Sequence, residues 1–349
     1  MSERRLYLDA SYGESRGVVT LDGRPERLII VRDPTYPQAG PALGAVMVAR
    51  VRALDRAAGL AFLDVGSSPD VVLNLSKETG ALAEGHAVEV EIRAEGRRDK
   101  GATARWLGPA EGPPRIVRPG PSLEDRLHAF APGAEIREGG VARTMADAAQ
   151  EEALETVFPL PGGGSICVEV TKALTAVDVD LGARKGASPK QAARAVNFAA
   201  VTAAARVLRL KGLGGLIVID LVGASHDAPA LLSAARVAFG PDNPGVTLGA
   251  ISRFGALELA IPRRTRPSVD LLTDETGAAS AVTLALKMVR ALEREAVVDG
   301  GGQFLGRAPA DVVEAAGPAL AALRARVGER IELRAHEVDS RRDLEVTPL

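Results

Sequence analysis

The sequence predicts a mixed α/β protein of more than one domain, with a small β-barrel near the N-terminus and a layered α/β domain from about residue 150 to the end. Three observations predict this. Four short β-type segments follow one another at intervals of about ten residues between 46 and 95, separated by Gly, Asp and Pro, the spacing of a small barrel. Residues 108–122 hold five prolines and read as a linker or loop. Beyond them, strand patterns alternate with helix patterns, which is the signature of α/β layers.

Taken in order, LYLDA (6–10) and RLIIV (27–31) are short strands of an N-terminal piece, residues 1–38. VMVARVRAL (46–54), LAFLDVG (60–66), VVLNL (71–75) and AVEVEIRAE (87–95) are the barrel strands, within 39–108. Residues 109–157 hold the linker and a helix from about Thr144 to Val157. The last unit, 158–349, opens with LPGGGS (160–165) and a hairpin of ICVEV (166–170) and LTAVDVDLG (174–182). The next helix has clear borders. Ser188 is its N-cap, Pro189 takes the first helical position, Gln191 completes a capping box, and Gly212 stops it. LIVID (216–220) is a buried strand. A helix (230–239), strands (246–252 and 256–261), two helices (278–297 and 309–327) and the strand RIELRA (330–335) complete the chain.

The 349 residues are 46% hydrophobic and 25% charged, ordinary for a globular protein with a sizeable core. Aromatics make up 3%, so that core must be mostly Ala, Val and Leu. A net charge of −2 excludes a globally basic nucleic-acid binder and confines any such contact to local patches. The single cysteine, Cys167, excludes internal disulfides and cysteine-based zinc sites, and is read as core. The four histidines are scattered without metal-ligand spacing. No apolar run suits a signal peptide or a membrane span, so a cytoplasmic setting without membrane contact is expected.

Asp178 sits between Val177 and Val179, and Asp220 ends LIVID. A carboxylate closing an apolar strand is poorly solvated and calls for a pairing, a hydrogen bond or a cation. Two such strand ends lying side by side would form the hard-oxygen site that Mg2+ or Mn2+ takes, and ligand sites of open α/β sheets lie at strand carboxyl ends. Alternation puts Asp180 on the same face as Asp178. The pattern alone serves equally well for strand-end hydrogen-bond acceptors.

The stretches LPGGGSICVEVTKALTAVDVDLG (160–182), LRLKGLGGLIVIDLV (208–222) and ISRFGALEL (251–259) resemble, in order and spacing, the core of the ribonuclease E/G family, and LAFLDVG (60–66) and KGA (100–102) fall where that family carries its RNA-binding barrel. The resemblance implies an OB-fold barrel inserted in a reduced RNase-H-like piece, followed by a DNase-I-like catalytic domain. It implies a Mg2+-dependent endoribonuclease cleaving single-stranded RNA to 5′-phosphate and 3′-hydroxyl ends, with Asp178 and Asp220 catalytic and metal-holding. Asp180, where the family usually has Asn, becomes a third carboxylate at the metal. Phe62 offers a stacking platform and Lys100 a backbone contact; Val72 stands where a second aromatic is usual. Arg184, Lys185, Arg253 and Phe254 complete the expected RNA-binding set. For Arg184 and Lys185 solvated loop charge competes with that role, and for Arg253 and Phe254 an ion pair and a core position do. Residues 93–118 carry seven Lys or Arg against three Asp or Glu, a patch for salt-sensitive binding.

The chain also departs from the family. About 50 residues separate Gly108 from LPGGG, so the family's 5′-end sensor is expected to be reduced to a remnant or absent, and Arg143-Thr144 copies the sensor's pair only superficially. The cysteines that share zinc between subunits are missing, so neither zinc nor a zinc-linked dimer is expected; a homo-oligomer of another kind stays open. A non-catalytic RNA-binding protein on the same scaffold and a metal-dependent phosphodiesterase with another substrate remain as alternative readings.

Overall fold

The computed structural model describes residues 3–36, 40–66, 69–98, 100–184, 188–223, 227–336 and 344–349. Strands β1 (Arg4–Ser11), β2 (Glu14–Leu21) and β3 (Arg24–Arg32) form an antiparallel meander. Asp22 and Gly23, both at positive φ (51° and 80°), make its second turn, as a two-residue hairpin requires.

The next strands are β4 (Val46–Asp55), β5 (Leu60–Asp64), β6 (Val71–Asn74), β7 (Ala87–Ala94) and β8 (Thr103–Pro109). They pair in the cycle β4–β5–β6–β8–β7–β4, which closes a five-stranded barrel. Its interior is the alternate set Val51, Leu63, Leu73, Val88, Val90 and Ile92, all essentially inaccessible. The segment expected as linker contributes β9 (Arg115–Arg118), an exposed edge strand on β4. Its prolines flank the strand and leave its N–H groups free to pair, as edge strands allow.

After the barrel the chain returns to the first sheet. Helix α1 (Leu123–His128) starts on a Ser122/Asp125 capping box, β10 (Ile136–Arg137) joins β1 in parallel, and α2 (Gly140–Leu154) packs on that sheet. Ala142, Ala146, Ala149 and Ala153, at helical spacing, let α2 approach the sheet closely. The barrel is thus inserted into this unit. α2 begins four residues before the predicted start at Thr144.

A six-stranded sheet follows, built from β11 (Val157–Pro159), β12 (Ser165–Val170), β13 (Thr175–Asp180), β14 (Gly215–Asp220), β15 (Thr247–Ile251) and β16 (Ala256–Ile261), in the order β11-β12-β13-β14-β16-β15. Helices α3 (Pro189–Lys211) and α4 (Ala228–Phe239) cover one face, over a core of Val177, Val179, Ile217, Ile219, Leu257 and Leu259. α3 has the predicted borders, with Ser188 accepting the Gln191 N–H and Gly212 at φ 67°. The C-terminal unit holds α5 (Ser268–Leu272), α6 (Ala281–Val298), β17 (Phe304–Ala308), α7 (Ala310–Val327), β18 (Ile331–Ala335) and β19 (Glu345–Pro348), with β17 central in a three-stranded sheet. β17 escapes a periodicity reading because it is buried almost throughout and interrupted by Gly306.

Buried ion pairs tie this last unit to the first sheet. Glu14, 1% exposed, meets Arg32 and Arg290, each at 2.8 Å. Asp9 meets Arg16 at 2.5 Å and Arg143 at 3.0 Å, and Arg143 reaches Glu293 of α6 at 2.7 Å. Burial opposes the charged forms of Glu14 and Asp9, but the arginines outweigh it and hold both carboxyls below the usual range. Their contribution to stability is therefore complete above the unfolded carboxylate pKa of about 4. It is lost as pH falls through the depressed folded values. Arg290→Met leaves Glu14 with one cation fewer in a dry site and is expected to cost about 3–5 kcal/mol in urea denaturation at neutral pH. That cost should shrink as the pH is lowered and Glu14 takes up a proton.

Candidate active site

Strands β13 and β14 run parallel, with Asp178 opposite Asp220 in register. Register partners on adjacent parallel strands lie about 4.8 Å apart and point to the same side. The neighbours Val177, Val179 and Ile219 fill the helix-covered core, so both aspartates face away from it. The two carboxylates thus converge on the open face, at the carboxyl ends of both strands. Both are exposed. The poor solvation expected of them is not found, because they lie on the face opposite the one that α3 and α4 cover.

Asp180 stands two residues on, on the same face, opposite Ser165. Its Oδ1 accepts the Gly182 N–H at 3.0 Å, an Asx turn that draws the carboxylate toward the loop. Among the described residues no three of His, Cys, Asp and Glu gather as metal ligands, so the expected three-carboxylate set is not assembled. Cys167, read as core, is half-buried and sits on the open face opposite Asp178.

Two devices fix these strand ends. Asn197 of α3, 3% exposed, donates from Nδ2 to the Val222 carbonyl (3.0 Å), and its Oδ1 accepts the Val222 N–H (2.9 Å). This clamp holds the chain two residues past Asp220. A lone Asn inside an apolar helix face was its signal in the sequence. Gly162, Gly163 and Gly164 all have positive φ, and a Cβ on Gly164 would lie 2.5 Å from the Asp180 carbonyl oxygen. Only glycine lets this loop pass beneath the end of β13. Arg184 closes the loop by donating from Nε to the Gly162 carbonyl (3.1 Å) and from a terminal nitrogen to that of Pro161, which commits two of its five N–H donors. Lys185 lies outside the described residues.

The β15–β16 turn stands beside Asp220, whose register partner is Ala256, and the Leu221 N–H bonds the Gly255 carbonyl (3.2 Å). Its tip is Arg253-Phe254. Phe254 is 79% exposed, which removes the core reading, and the Arg253 guanidinium lies over its ring, 4.7 Å from the centroid. No carboxylate pairs with Arg253 among the described residues. An exposed aromatic with a stacked cation thus flanks the aspartate pair.

The barrel residues lie elsewhere. Phe62 points outward from β5, half-buried, opposite Val72, and Lys100 is exposed in a small bridge with Arg97. The basic patch is partly neutralised. Arg93 and Arg105 pair with Glu91, and Arg98 donates to Thr273. Arg143, paired with Asp9 and Glu293, has a structural role.

Residues 123–265 match the sequence pattern of the Ribonuclease E/G family. Ribonuclease E of Haemophilus influenzae is 34% identical over 164 residues, 44% of this chain and 17% of the relative. Ribonuclease E of Escherichia coli is 38% identical over 122 residues, 34% of this chain and 11% of the relative. A Ribonuclease E/G-like protein, chloroplastic, of Arabidopsis thaliana is 34% identical over 134 residues, 36% and 13% respectively. The chain therefore aligns with less than a fifth of each of these curated relatives. The resemblance to this family is borne out. Among the described residues, no helix is long and apolar enough to cross a membrane.

If the Asn197 clamp positions Asp220, Asn197→Ala should leave the Val222 N–H and carbonyl unpaired. The expected loss is about 1–3 kcal/mol by chemical denaturation, with faster amide exchange at Val222.

Proposed function

Related to the ribonuclease E/G family through residues 123–265, this chain is, we propose, an endoribonuclease that hydrolyses phosphodiester bonds of single-stranded RNA at Asp178 and Asp220. The single observation that carries the reading is the register match of these two aspartates on the open face of the sheet. On this reading the N-terminal sheet with α2 is the reduced RNase-H-like piece, the closed ring of strands is the OB-fold, and the six-stranded sheet with α3 and α4 is the DNase-I-like catalytic domain.

Two exposed carboxylates side by side are hard-oxygen donors with room for water and phosphate oxygens, a set that suits Mg2+, which keeps several waters beside one or two carboxylates. Asp178 and Asp220 would hold the ion, which when bound supplies a more acidic water and neutralises charge on the phosphate. The remaining chemistry belongs to the chain's own side chains. Phe254 stacks a base, and Arg253 contacts the adjoining phosphate. Asn197 keeps the Asp220 strand end in place, and the glycine loop does the same for Asp178. Asp180, turned to Gly182, adds negative charge nearby without joining the pair. Water attacks phosphorus, the bond to the 3′ oxygen breaks, and that oxygen takes the proton, leaving 5′-phosphate and 3′-hydroxyl ends. Phe62 and Lys100 of the barrel hold flanking RNA; with Val72 in place of an aromatic, the barrel contributes one stacking residue here.

With 5′-labelled single-stranded RNA, cleavage should require Mg2+, stop with chelator, and vanish in Asp178→Asn and Asp220→Asn with RNA binding retained. Binding without cleavage by the unaltered protein would instead establish a non-catalytic RNA binder. Phe254→Ala should weaken RNA binding by about 1–3 kcal/mol, read by fluorescence anisotropy.

A further inference from the structure

A well-formed cavity lies away from the aspartate pair. It encloses about 530 Å³, within the usual range for small-molecule sites. β3, the barrel, α1, the end of α3 and the segment joining β16 to α5 all line it. In the β14–β16 ladder, Ile261 on the cavity wall pairs with Gly215, five residues before Asp220. At about 3.3 Å per residue the cavity sits roughly 17 Å along the sheet from Asp220.

Six arginines line it: Arg27, Arg32, Arg126, Arg209, Arg264 and Arg266. Two acidic residues, Glu95 and Asp242, share the wall. Asp242 bonds both Arg27 (3.0 Å) and Arg209 (2.9 Å). Glu95 takes the Arg266 N–H at 3.0 Å and stands 3.7 Å from Arg126. Arg32 is paired behind the wall with Glu14, and Arg209 approaches Glu26. Arg209 is 8% exposed, and its buried Nε has no hydrogen-bond partner. Arg264 is exposed and donates to the Pro244 carbonyl. Burial, with repulsion from Arg209, pulls the Arg27 guanidinium down, and burial does the same to Arg266; both are conditions that an added anion relieves. Apart from Asn243, Thr265 and Ser268, the rest of the wall is glycine and apolar side chains. Leu28, Leu208 and Leu213 contribute, together with Phe130, whose ring lies 4.3 Å beneath the Arg27 guanidinium.

We propose that this cavity binds a free 5′-mononucleotide, with its phosphate among Arg126, Arg209 and Arg264 and its base against Phe130 and the leucines. Two features select that class. The excess of guanidinium donors matches a phosphate, which takes bidentate bonds from Arg. The apolar, aromatic wall needs a flat ring, which inorganic phosphate lacks. The site is separate from the aspartate pair and does not rest on the nuclease reading.

Titration of the full chain with 5′-AMP, by calorimetry and thermal shift, tests this. AMP should bind and raise the melting temperature. Inorganic phosphate should bind more weakly, and adenosine should not bind measurably. Arg126→Gln/Arg264→Gln should weaken AMP binding by about tenfold or more. Asp178→Asn/Asp220→Asn should leave it unchanged. Should the arginine variant fold poorly, photocrosslinking of 8-azido-AMP to the unaltered protein replaces it, with labelling expected within 126–130 or 261–266. No AMP binding up to 10 mM on the order of a weak metabolite site, binding insensitive to the arginine change, binding lost with the aspartates, or labelling elsewhere would each overturn the proposal.

Discussion

The parallel pairing of β13 with β14 is the constraint on which the candidate site depends. Its register sets Asp178 beside Asp220. A slip of one residue would turn one carboxylate into the helix-covered core. The apolar residues between and behind them enforce that register, since Val177, Val179, Ile217 and Ile219 must all face α3 and α4. The position of the acidic pair is thus a by-product of burying the valines and isoleucines on the other side.

The strand ends need further support because they emerge into solvent. Asn197 reaches from the covered side to hold Val222, and the Gly162–Gly164 loop braces the end of β13. Both act on backbone, which suits a site whose own side chains are exposed and have few partners. Arg253 and Phe254 owe their position to the same ladder, because β16 pairs with β14 and its turn therefore arrives beside Asp220.

Charge does in this molecule what aromatic bulk does in many others. With 3% aromatics, the junctions between units are closed largely by arginine and carboxylate groups. Glu14 and Asp9 tie the first sheet to α6 through Arg290 and through Arg143 and Glu293. Glu26, Arg209 and Asp242 tie β3 to α3 and to the turn after α4. Such pairs are costly to bury and costlier to break, so they specify one arrangement of the units. The same chemistry leaves an arginine-rich cavity where the junctions do not fully close.

Local chemistry in the sequence determined the borders of α3, the barrel strands and the hairpin that carries Asp178, and motif order singled out Asp178 and Asp220 as candidates. Caps, alternation and motif order act over a few residues and can be read from them. What lay beyond it depended on distant partners. β9 looked like a loop because prolines flank it, yet it found β4; β17 lacked periodicity because both its faces are covered. Cys167 and the aspartates were expected in dry surroundings, and the uncovered face of the sheet made them accessible. Which face a helix covers, and which arginine meets which carboxylate across more than a hundred residues, follows from packing of the whole chain and is carried by no local pattern.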